Sequence, residues 1–170
     1  MKAVFLLVIA VGLTVLSGGC YRVGTFMHPQ VKTIAIAPVQ NDSLAYNAAA
    51  EMRGKLCEAF MQDGSLKVKN LRKADCILYA RISKVAFTEV TEVSHDDENV
   101  YRAAEWRVSI SVEFSVILPG RKKPLIKART VSASTIFQVQ ADMDTNRRHG
   151  IMMACYYVAR KMVEYTTEAW

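Results

Sequence analysis

The chain has 170 residues, 51% of them hydrophobic and 22% charged, with a formal charge of +6 at pH 7. That balance excludes a disordered polymer and suffices for one domain with a buried core. A pI near 9.2 favours anionic partners, and no helical stretch carries the continuous basic face expected of a nucleic-acid binder.

Lys2 is followed by an uninterrupted apolar run from Ala3 to Leu16, then by Ser17-Gly18-Gly19 and Cys20. A basic start, a short apolar core and small residues predict a cleaved signal peptide over residues 1–19. The run is too short for a spanning helix, which needs about 20 apolar residues. A cysteine directly after the small residues predicts lipid attachment at Cys20. Leu16 stands one residue further from Cys20 than in the usual lipobox, with Ser17 in its place. Export directs the basic balance toward phosphorylated lipid or glycan, and away from nucleic acid.

Residues 20–30 contain Gly24, His28 and Pro29 without a regular period, and read as a lipidated leader to a single domain over 31–170. Thr33 to Ala37 is a short strand that Pro38 ends. Gln40-Asn41-Asp42-Ser43 is turn chemistry that offers capping oxygens to the next element. From Leu44 to Gln62 the period becomes helical. Ala49, Met52, Leu56, Ala59 and Phe60 form an apolar stripe, and Asn47, Glu51, Lys55, Glu58 and Gln62 lie opposite. Gly54 inside this helix suggests a close approach to another element. Gly64 suits the left-handed position past the last turn.

Leu66 to Lys69 is a short strand, and a longer one runs from about Cys76 to Val93. Its inward phase passes from Leu78, Ala80 and Ile82 to Val85 and Phe87, so a bulge is expected near Lys84. Ser94 to Asn99 is an acidic loop. The next strand alternates Trp106, Val108, Ile110, Val112, Phe114, Val116 and Leu118 against Arg107, Ser109, Ser111, Glu113 and Ser115, one face core and the other polar. Pro119 to Lys123 is a hairpin turn, and Leu125 to Val139 returns as a strand. Asp142 or Asp144 caps a final helix to about Thr167. Its segment Ile151 to Ala159 is apolar nearly all round, so it is buried on more than one side or meets a partner. A run of strands with a helix before and after it predicts an α+β fold, a two-layer sandwich with two helices on one sheet face.

Neither a nucleotide-binding loop nor a nucleophile elbow occurs. Cys57, Cys76 and Cys155 sit in apolar runs and read as buried thiols; a Cys57–Cys155 bridge stays open. His95-Asp96-Asp97-Glu98 gathers potential metal ligands, but consecutive loop residues do not converge on one ion, and no metal or cofactor is expected. The chain reads as a binding or assembly module and not as an enzyme. Arg121-Lys122-Lys123 is its sharpest charge feature: three cations on a tight turn, suited either to discouraging edge pairing or to binding the phosphates of an anionic glycolipid. Arg107, Lys127 and Arg129 on the flanking strands extend the candidate site. Ser109, Ser111 and Ser115 suit a sheet face lodged in the polar lumen of an outer-membrane barrel.

Cys20-Tyr21-Arg22-Val23-Gly24, followed by Val31 through Asn41, resembles the opening of the LptE family of lipopolysaccharide-assembly lipoproteins. Ala74-Asp75-Cys76-Ile77-Leu78-Tyr79-Ala80-Arg81-Ile82 is similar to a second family segment. A strand from Tyr101 to Leu118 and a closing helix ending in Trp170 follow in order. The chain lacks the glycine many members carry between cysteine and tyrosine, and Ala80 stands where the second segment has glycine. The resemblance implies a mixed sheet of about four strands under two helices, and a non-enzymatic protein at the periplasmic face of the outer membrane. Its implied partners are an LptD-like β-barrel, which it plugs, and lipopolysaccharide. A second reading is a periplasmic lipoprotein that regulates a cell-wall synthase or builds a secretion pore, since such proteins open with a similar strand, asparagine turn and helix.

Overall fold

A computed structural model describes residues 31–90, 104–139 and 142–168. The predicted signal peptide, the leader with Cys20, the acidic loop and Trp170 lie outside the described residues. In chain order the elements are β1 (Thr33–Ile36), β2 (Gln40–Asn41), α1 (Ala48–Asp63), β3 (Lys67–Val68), β4 (Cys76–Glu89), β5 (Ala104–Ile117), β6 (Ile126–Val139) and α2 (Met143–Thr167).

The strands form one mixed sheet of order β3-β1-β4-β5-β6, with β2 also paired to β4. β1 runs parallel to both β3 and β4, whereas β4, β5 and β6 form an antiparallel meander. The fold class is thus α+β, as expected, but the sheet has six strands where about four were expected. Two short pieces account for the excess over the four implied by the resemblance: β3, already expected from Leu66 to Lys69, and β2, which was not. Pro38 interrupts the edge segment, which resumes as β2 opposite Arg81 and Ile82, and β3 adds two residues outside β1. A proline has no amide to give to the ladder, so one edge segment becomes two strands.

Both helices cover the same face. α1 packs on β1, β2 and β3, α2 packs on β5 and β6, and the helices pack on each other. The core between the layers is built from alternate strand residues, among them Ile34, Leu78, Ile82, Val108, Ile110, Val112 and Phe114, with Met52, Leu56 and Phe60 of α1 and Val158 and Met162 of α2 above them. The apolar breadth of Ile151 to Ala159 follows from this placement, because α2 is buried against the sheet and against α1 together. The bulge falls where the slipped alternation put it, with the β4–β5 register shifting between Ile82 and Lys84. Gly64 ends α1 at φ 70°, and its amide donates to the Phe60 carbonyl at 3.1 Å. Asp142 caps α2, accepting from the Asp144 and Thr145 amides.

Three local expectations are corrected. α1 begins at Ala48 and not at Leu44, because the Asn41 side chain organises the preceding residues. Its Nδ2 donates to the Ala45 carbonyl at 2.8 Å, while its Oδ1 accepts from the Ser43 amide and hydroxyl. Those oxygens serve the turn and do not cap the helix. The loop therefore holds Leu44 and Tyr46 out in solvent, and Ala48, not Ala49, starts the buried stripe. The third correction concerns glycine. A Cβ on Gly54 would meet nothing within 4 Å, whereas one on Gly150 would lie 2.7 Å from Phe137 Cδ1 and 3.2 Å from Val108 Cγ1. The close helix–sheet approach is at Gly150. Cys57, Cys76 and Cys155 are free thiols, which closes the question of a bridge.

Candidate functional site: a basic sheet end and an open polar face

Leu118-Pro119-Gly120-Arg121 form the β5–β6 turn. The Arg121 amide donates to the Leu118 carbonyl at 3.1 Å, and Gly120 has φ 82°. Proline followed by glycine at positive φ is the chemistry of a type II turn. The tightness of the turn places Arg121, Lys122 and Lys123 together at the sheet end, all exposed and with no ion pair among the described residues.

The flanking candidates separate. Ser115 of β5 faces both Lys127 and Ala128, where the β5–β6 register shifts between Phe114 and Val116. This bulge leaves Lys127 near the turn and sends Arg129 to the helix-bearing side, opposite Phe114. There the Arg129 guanidinium stacks 4.2 Å from the centre of the Tyr165 ring. Arg107 stands at the far end of β5, opposite Thr88 and Ile136. Ten strand residues, about 33 Å, separate it from Ile117. The structure therefore gathers the turn cations with Lys127, turns Arg129 to a different partner and leaves Arg107 apart.

Other cations join the same end, unseen in the sequence because only strand order brings them there. Ile77 lies opposite Ile117 and Ile34 opposite Cys76, so the loop before β4 and the start of β1 stand beside the turn. They contribute the exposed Lys32, Arg72 and Lys73. The Asp75 carboxylate beside them is already committed. Asp75 accepts from the Lys32 and Thr33 amides, each at 3.0 Å, and from the Thr33 hydroxyl at 2.9 Å. These bonds, led by the Lys32 amide and the Thr33 side chain, hold the Asp75 carboxyl below its ordinary range. Asp75 thus ties β1 to β4 and keeps its charge.

The sheet face away from the helices is polar. Ser109, Ser111, Glu113 and Ser115 of β5 line it beside Thr130, Ser132 and Ser134 of β6. Ser111 and Ser132 share a hydroxyl–hydroxyl bond of 2.8 Å. At its β4 side, Arg81 pairs with Asp42 beside a cleft of about 210 Å³ lined by Tyr79, Gln40 and Glu113. No helix among the described residues is long and apolar enough to cross a membrane.

The model of the lipopolysaccharide-assembly family LptE matches residues 31–164, nearly all of the described fold. This chain belongs to the LptE family. No curated protein sequence matches it. Among solved structures, a Xanthomonas campestris protein superposes with a TM-score of 0.55 at 10% identity, covering 82% of this chain and 88% of its own. A hypothetical protein from Chlamydia trachomatis gives 0.54 at 14% identity, covering 79% and 95%. A minor lipoprotein from Acinetobacter baumannii gives 0.50 at 10% identity, covering 80% and 93%. At these identities the neighbours establish the fold that this LptE-family chain shares with them. LptE proteins are assembly lipoproteins of the cell envelope and not an enzyme family. The matched span includes both Thr33 and Asp75.

Proposed function

We propose that this chain is a non-enzymatic outer-membrane lipoprotein, anchored through Cys20 at the periplasmic face, that seats in an LptD-like β-barrel and assists lipopolysaccharide transport and insertion. The observation that carries the reading is the LptE family match over residues 31–164. Two physical features support it. The Ser/Thr face suits the polar interior of an outer-membrane barrel, where an apolar face would not be solvated. The exposed cations of the 121–123 turn, with Lys127, suit the phosphates of lipopolysaccharide.

The test is lipopolysaccharide binding by the full chain in detergent. Replacing Arg121, Lys122 and Lys123 together with alanine should weaken binding about tenfold, the effect of three exposed charge contacts of a few tenths of a kcal/mol each. Binding should also weaken as salt rises. Unaltered affinity in a folded triple variant would remove the turn from the site, and no binding by the parent chain would remove lipopolysaccharide from the function.

A further inference from the structure

β6 is an edge strand of 14 residues, and among the described residues it pairs only with β5. The direction of its outer groups is fixed by Lys161 of α2, whose Nζ donates at 3.0 Å to the Ser132 carbonyl. That carbonyl points away from β5, so by alternation Thr130, Ser132, Ser134, Ile136 and Gln138 turn both amide and carbonyl outward. These five residues are exposed, Ile136 at 49%. From Val131 to Gln138 the strand has no charge, no proline and no glycine. Folded proteins protect open edges with such residues or with a cover; here the strand's own charges lie only at the end near Lys127 and Arg129, and Lys161 of α2 reaches the edge at Ser132.

We infer that the outer edge of β6 pairs antiparallel with the same edge of a second copy of this chain, about a two-fold axis at Ser134. The occupant follows from how well the edge matches itself. Beyond the bulge at Lys127 and Ala128 the regular strand spans 129–139, and Ser134 is its centre. In that register Val131 stands opposite Phe137 of the second copy on the helix-bearing side, a β-branched–aromatic pair, and Ser132 stands opposite Ile136. The five outward residues then exchange about ten backbone hydrogen bonds. Arg129 meets position 139 and no other cation. Just past that position α2 begins with the exposed carboxylates of Asp142 and Asp144, so Lys127 and Arg129 of each copy approach acids of the other. Centring on Ser132 instead would set Lys127 against Phe137. Lys161 releases the Ser132 carbonyl as the second copy arrives. This inference goes beyond the function proposed above and stands without it.

Sedimentation of the full chain in detergent, over a range of protein concentrations, reads the association. The parent and Ser134→Ala should be dimeric at high concentration. Ser134→Pro should be monomeric with an unaltered far-ultraviolet spectrum, because the amide it removes points away from β5. Register is read separately by oxidation. Ser134→Cys should cross-link to itself, whereas Ser132→Cys and Ile136→Cys should cross-link only when mixed, with the parent as blank. A chain that stays monomeric, a dimer indifferent to Ser134→Pro, or cross-linking without this register would overturn the inference. So would a monomer whose β6 amides gain exchange protection only on binding a barrel protein, which would assign the edge to that barrel.

Discussion

Gly54 and Gly150 sit in different helices, and the same substitution should act on them with opposite sign. Gly54 is exposed inside α1, and a methyl group there meets nothing within 4 Å. Gly54→Ala should stabilise the protein by about 0.8–1 kcal/mol, the helix-propensity difference. At Gly150 the same gain is set against a methyl group 2.7 Å from the Phe137 ring, and overpacking typically costs about 1–3 kcal/mol. Gly150→Ala should therefore be destabilising, and urea denaturation of the two variants checks both signs. Asp75 offers a test by pH. Its carboxyl is held below the ordinary 3.8, so its contribution is present above that value and is lost as pH falls through the lower folded value. Asp75→Ala should lower stability at neutral pH, and the gap to the parent should narrow as pH falls below 3.8. A gap independent of pH would show that the charge of Asp75 does not act. Burial pushes the thiols of Cys76 and Cys155 up to about 12, so both should resist alkylation at pH 8 in the folded protein. Half-buried Cys57 should react before them, as peptide mapping of the labelled chain would show.

At the scale of elements, the loop at Asn41 governs where α1 can start. Two polar side chains, Asn41 and Ser43, saturate the turn before the helix begins, and Ala45 donates its amide to the Ser43 hydroxyl at 3.3 Å. Asn41→Ala should loosen this loop by about 1 kcal/mol, the usual value of lost local side-chain bonds, and should speed amide exchange over 42–46 without altering β4. The sequence made the meander legible, since strict alternation in β5 and the phase slip at Lys84 are local patterns that survive into the structure. The β2 pairing and the position of the close helix approach were not legible. Both depend on which elements meet: Pro38 marks an interruption but not a resumption, and a glycine marks tolerance but not the neighbour that requires it. The candidate site divided in the same way. The turn cations are contiguous in sequence and remain together, whereas Arg129 was redirected by a bulge opposite Ser115 and Arg107 was removed by strand length.

At the scale of the molecule, two surfaces on one small sheet divide the work. The helix-bearing face is closed by α1 and α2 and supplies stability. The opposite face is open, polar and bordered at one end by cations, beside which Asp75 is engaged with β1. In the proposed function the open face meets the barrel wall and the basic end meets lipopolysaccharide. The chain enters the described fold at Val31, beside that basic end. The most direct measurement is affinity isolation of the full-length chain from detergent-solubilised envelopes, with identification of what accompanies it. Recovery of a stoichiometric LptD-like β-barrel protein is the predicted result. Recovery of a penicillin-binding protein, or of rings of the chain alone with no barrel, would contradict the account.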